Sequence, residues 1–185
     1  NWNQVCNAGV SFGAWAVYES VPELAEEMID RAKKSIPLSQ LDYEPDGVYV
    51  EGPGYWNYGT TFNTLFIEAL NKIETSETDF EINDGFLKTG EYYLNIFGTT
   101  GSFNYFDNSS GFTLSPAIFW FAKEKKDESL VYHHLPLLEG FYDLASEGSR
   151  NRIFPMVPIW LSKLENHERV TPNYLSWTGH GPNPV

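Results

Sequence analysis

Cysteine is nearly absent from this chain. Cys6 stands alone among 185 residues, so no internal disulfide and no paired-cysteine metal or redox motif is available. It lies in an apolar helical pattern and is expected to be buried. Long hydrophobic runs are missing as well. Nowhere do 18 apolar residues follow one another, and no charged-then-apolar leader pattern is present, so the chain is expected to be soluble. Positive charge is scarce: twelve Lys and Arg face 25 Asp and Glu, a net charge of −13. Such a surface repels nucleic acid and anionic membranes, and neither is expected as a partner. Strand-type alternation is lacking, and no exact internal repeat is visible.

What is present is aromatic. Phe, Trp and Tyr make up 16% of the chain, a share that either packs a core with rings or lines a carbohydrate surface with Trp and Tyr. Helical signals run along the sequence in order. Residues 3–18 form a charge-poor helix, apolar nearly all round and therefore expected to be an inner one. Residues 22–35 follow as an outer helix with Leu24, Met28 and Ala32 on one stripe, stopped by Pro37. After a loop from Leu38 to Gly54, residues 55–73 return to an inner pattern. A helix at about Phe86–Phe97 precedes a second long loop, residues 98–113, and Ala117–Lys125 is again apolar-periodic. Asp127 caps a helix to about Ser146 that Pro136 kinks or splits, and a short helix over Phe154–Glu165 leads into an irregular tail. Lys123, Lys125 and Lys126 read as a solvated helix end. Apolar helices alternating with amphipathic ones predict an all-α chain of stacked helical hairpins, with both long loops opening on one end.

The stretch Tyr43-Glu-Pro-Asp-Gly-Val-Tyr-Val-Glu-Gly-Pro-Gly-Tyr-Trp-Asn-Tyr-Gly59 is the densest in chemistry. Its Pro and Gly residues fix a rigid path, and it runs directly into a helix. Together with Asn1-Trp-Asn-Gln-Val-Cys-Asn7 at the start of the first inner helix, it resembles the heparinase II/III-like polysaccharide lyases and their oligo-alginate-lyase relatives. Trp177-Thr-Gly-His-Gly-Pro-Asn-Pro-Val185 is similar to the passage from their helical toroid into a β-sandwich.

The resemblance implies a partial (α/α) toroid over residues 1–168. Residues 169–185 would be a linker toward a β-sandwich of the same protein. It implies an acidic polysaccharide or oligosaccharide as partner, a secreted or periplasmic location, and no cofactor or metal. The chemistry implied is β-elimination: a donor neutralises the uronate carboxylate, a base removes the C5 proton, and a tyrosine protonates the leaving oxygen. Carried over by motif, the tyrosine is Tyr55 in Pro53-Gly54-Tyr55. The neutralising amide is Asn1 or Asn3, with Gln4 the weaker choice. Trp2 stands where many relatives carry a histidine, and a further family histidine belongs to the β-sandwich. This chain alone is therefore expected to turn over little.

Each assignment has a plainer counterpart. Tyr55 could be a ring packed over the loop, and Asn1 and Asn3 could cap the first helix. Glu51 could hold the loop rather than touch substrate. Trp56, Tyr58 and Tyr49 could stack on sugar rings or wedge the helices apart. His133 and His134 point about 100° apart on a helix, which suits a structural role better than shared metal binding. Arg150 and Arg152 could bind a carboxylate or be solvated, and His180 could be a domain-junction contact. Two other functions use the same residues. In a toroidal glycoside hydrolase Asp46 works with Glu51 or Asp42, and in a scaffold domain the aromatics bind glycan without turnover.

Overall fold

A computed structural model describes residues 1–74, 80–139, 152–174 and 176–181. These residues are mostly helical. The first pair, α1 (Trp2–Ala16) and α2 (Pro22–Gln40), pack along each other, and Pro22 opens α2 at a position where its missing N–H costs nothing. The motif stretch then forms a 3-10 turn (Leu41–Tyr43), a four-residue helix α3 (Gly52–Tyr55) and a wide π-type turn (Trp56–Thr60) leading into α4 (Thr61–Ile73). Helix α5 (Asp84–Asn95) is followed by a two-stranded hairpin, β1 (Phe97–Gly98) with β2 (Gly101–Ser102). Helix α6 (Pro116–Lys125) is enclosed from Pro116 to Ala122, and α7 (Met156–Leu161) packs on it.

Several sequence expectations are corrected. Helix α1 is not an inner helix. Its buried face is Gln4, Ala8, Ser11 and Ala14, turned to α2 and α4, whereas Trp2, Val10 and Val17 are exposed. Cys6 lies on the outward side and is exposed. The enclosed helix is α6, whose unbroken run Ile118-Phe-Trp-Phe-Ala122 leaves no polar face. The buried stripe of α2 is Ala25, Ile29, Ala32 and Ile36, so Leu24 is exposed and Met28 only half-buried. Nor does α2 stop at Pro37; it runs to Gln40. Proline removes one helical hydrogen bond, but Ser39 Oγ donates to the Ile36 carbonyl and Gln40 is anchored by buried partners, so the last turn holds. The segment after Asp127 forms two 3-10 turns, Glu128–Val131 and Leu135–Leu138, in place of a continuous helix. Asp127 caps the first by accepting from Ser129 N. Whatever of that helix follows residue 139, with Arg150, lies outside the described residues.

The main core is aromatic. Trp56, Phe86, Tyr93, Phe119, Trp120, Phe121 and Trp160 are enclosed around α5 and α6. A polar network threads the neighbouring helices. Gln4 of α1 donates to Tyr43 Oη and accepts from Asn63 of α4, and Tyr43 also meets Thr60. Gln40 of α2 donates to Asn63 Oδ1 and accepts from the Asn83 backbone at the start of α5. Because every member is paired, this network fixes how α1, α2, α4 and α5 meet. A second polar knot lies at Glu68 of α4, where Lys72, Lys123 of α6 and Lys163 beyond α7 converge. Burial alone would raise its pKa, but hydrogen bonds from Lys123 and Lys163 prevail and hold it at about 2. Lys123 is thus a structural ion-pair partner and not a solvated helix end.

Candidate functional site

The two long loops meet. Tyr105 donates to the Tyr49 carbonyl at 2.7 Å, and Tyr92 donates to the same oxygen at 3.2 Å. Gly52, at φ +78, passes so close to the Tyr105 carbonyl that a Cβ there would lie 3.0 Å from it. The carboxylates of the motif are largely committed to holding this path. Glu44 accepts from Gly85 N at the start of α5. Asp46 accepts from the backbone and ring of His180, which draws the irregular tail back onto the motif and keeps the Asp46 carboxyl below its ordinary pKa. Glu51 accepts from Tyr49 Oη at 2.7 Å and lies 3.4 Å from the Asn1 backbone nitrogen. Glu51 therefore secures the loop through a phenol and α1 rather than through several backbone N–H groups.

The π-type turn brings the motif against α1. Gly59 faces Asn1 Oδ1 and Gln4 Nε2, each 2.8 Å from where a Cβ would sit, so a larger residue here would push both amides aside. Asn1 is the N-cap of α1, yet its side chain makes no capping bond, and its buried Oδ1 has no hydrogen-bond partner among the described residues. Asn3 lies on another face of α1: it donates to Ser35 of α2 and takes a bond from Asn7. The structure thus separates the two asparagines, and only Asn1 adjoins the motif.

Three residues expected to touch substrate are enclosed instead. Trp56 is fully buried, stacked on Tyr93 at 3.8 Å and donating to Thr89 Oγ1. Tyr49 stacks on Tyr43 at 4.7 Å, and Gln4 is spent in the buried network. No face of these side chains is left for a sugar. Trp2 and Tyr58 are the opposite case, 66% and 42% exposed. Trp2, Tyr58 and Phe62 form a chain of edge-to-face contacts at the start of α4. Tyr55 lies one turn before Tyr58, half-buried against the main core, and neither phenol has a hydrogen-bond partner among the described residues.

Beside this aromatic surface is a cleft of about 400 Å³, lined by Asn57, Tyr58, Thr61, Phe62, Pro116, Arg152 and Ile153. Arg152 makes no ion pair among the described residues. The cleft offers an aromatic face for the apolar side of a sugar, an amide in Asn57, and a cation suited to a carboxylate. Tyr55, Asn1 and Asn3 are not among its lining residues. Asn57 lies within the Tyr43–Gly59 stretch but was given no role from the sequence, where the aromatics on either side of it, Trp56 and Tyr58, drew the assignment. Among the described residues, no group of three His, Cys, Asp or Glu side chains is placed to hold a metal ion, and no helix is long and apolar enough to cross a membrane. Compared with known protein families and with curated proteins, the chain matches none.

Proposed function

We propose that this chain is the helical part of a lyase that cleaves uronic-acid polysaccharides by β-elimination. The observation that carries the reading is the cleft at the start of α4, lined by an exposed Tyr58 ring with Phe62, an amide, and an arginine that makes no ion pair among the described residues. Arg152 and Asn57 meet the uronate carboxylate and stabilise the charge that develops when the C5 proton leaves. Tyr55, one turn away and with no hydrogen-bond partner for its hydroxyl among the described residues, takes the C5 proton and passes it to the leaving oxygen. Tyr58 and Trp2 stack on neighbouring sugar rings. Asn1, behind Gly59, sets the position of the turn that carries these side chains.

In this reading the packing of α1 with α2, of α4 on α1 and of α6 on α4 is one arc of an (α/α) toroid. The tail that docks on Asp46 leads toward a β-sandwich, and the protein acts outside the cytoplasm. The commitments of Asp46 and Glu51 weigh against paired-carboxylate hydrolysis, and Asp42, the other candidate acid, is exposed and does not line the cleft. The test is to incubate the full-length protein with heparan, alginate and other uronates and to follow the ultraviolet absorbance of unsaturated uronate ends. Product that disappears in Tyr55→Phe supports the proposal. Absence of such product from every uronate overturns it, and glycan binding without turnover would leave a scaffold domain.

A further inference from the structure

A second cavity, sharing no lining residue with the first, carries an inference that does not depend on the lyase reading. It measures about 550 Å³ and is lined by the β1–β2 hairpin (Phe97, Gly98, Thr99), Phe112, the segment around Tyr132 and His133, Pro136, Leu137 and Arg169. The wall is mostly hydrocarbon, with no carboxylate in it. Phe97 and Phe112 lie nearly parallel at 6.0 Å, and His133 stacks on Phe97 at 5.4 Å.

Arg169 is the polar exception, and it is held in place before any ligand arrives. Its guanidinium lies 3.7 Å over the Tyr132 ring while Nε donates to the Tyr132 carbonyl at 3.0 Å. Its Nη edge has no partner among the described residues. The His133 ring makes only aromatic contacts among the described residues, so its nitrogens are also unengaged. Burial, and then the charge of Arg169, lower its pKa, which makes it a neutral ring at pH 7.

The geometry points to a binding site for an aryl carboxylate, its ring between Phe112 and the Pro136–Leu137 wall and its carboxylate on the Nη edge of Arg169. A sugar acid fits less well, because apart from Thr99 and the Gly98 backbone the wall has little to satisfy hydroxyl groups. A fixed guanidinium over an aromatic ring loses little freedom on binding, which favours the bidentate contact that a carboxylate makes.

The experiment titrates the full-length protein with benzoate and trans-cinnamate, following the His133 ring signals by NMR and the heat of binding. Benzyl alcohol and glucuronate serve as controls for ring alone and charge alone. Saturable binding of the aryl carboxylates at about millimolar concentration, at least about tenfold tighter than either control, is expected. Arg169→Gln removes the charge and Phe112→Ala removes the ring contact at a half-exposed position; each should weaken binding about tenfold or more while leaving the fold intact by circular dichroism. The proposal is overturned by no saturable binding, by equal binding to Arg169→Gln, or by shifts confined to residues beside Arg152. None of these outcomes bears on uronate cleavage.

Discussion

Glu68 gives the sharpest quantitative prediction, because it is buried, acidic and surrounded by lysines from three parts of the chain. Its side chain is only 11% exposed, and it lies 2.8 Å from Lys123, 3.1 Å from Lys163 and 3.3 Å from Lys72. Its pKa falls from 4.5 to about 2 on folding. A folded pKa below the unfolded one means that the stabilisation is complete above about pH 4.5 and is lost as pH falls toward 2. At roughly 1.4 kcal/mol per pKa unit the full shift corresponds to about 3.4 kcal/mol. Lys72 and Lys163 are 59% and 39% exposed, so water screens part of this. About 2 kcal/mol is the working figure. Glu68→Gln should therefore lower stability by about 2 kcal/mol at pH 7, a drop in Tm of roughly 4–8 °C for a chain of this size. Urea denaturation of both proteins between pH 7 and pH 3 reads the effect, and the gap should shrink by about half over that range. A gap that stays constant with pH, or one under about 0.5 kcal/mol at pH 7, would refute the reasoning.

The buried network and the cleft yield further predictions. Asn63→Leu leaves Gln40 Nε2 without its acceptor and removes the Asn63 donor from Gln4, and should cost about 2–3 kcal/mol by chemical denaturation. Gly59→Ala places a methyl 2.8 Å from Asn1 Oδ1 and Gln4 Nε2 and should cost about 1–3 kcal/mol, with hydrogen exchange rising first at the start of α1. In the lyase reading Tyr55→Phe should cut kcat by about 10²–10⁴-fold with little change in KM. Arg152→Ala should raise KM by about ten- to a hundredfold through the lost carboxylate contact. Equal losses for charged and uncharged oligosaccharides would contradict that role for Arg152.

Helix existence was legible along most of the described chain, because apolar periodicity and helix-opening prolines such as Pro22 and Pro116 act locally, whereas the cap at Asp127 opens only a 3-10 turn. Which helix is innermost was not. The residues of α1 are small and apolar, yet its buried face is the one bearing Gln4 and Ser11, since that is where polar partners wait. The stripe of α2 was right at Ala32 but one residue off at its start, where Leu24 outscores Ala25 in hydrophobicity while the smaller Ala25 is the one buried beside Ala14 of α1. At the site, the fixed path of Tyr43–Gly59 could be read from its Pro and Gly. Sequence could not say which aromatic it exposes: Trp56 and Tyr58 are two residues apart, and the π-type turn buries the first on Tyr93 and presents the second. Nor could it place Arg152 in one cleft with Asn57, which only the folded chain does.

The reaction class is tested most directly by digesting a defined uronate oligosaccharide with the full-length protein in heavy-oxygen water and weighing the products. Elimination takes up no water, so the two product masses should sum to that of the substrate, with no heavy oxygen and an unsaturated ring at the new non-reducing end. A product that carries heavy oxygen and lacks the double bond would mean hydrolysis, and would contradict the account.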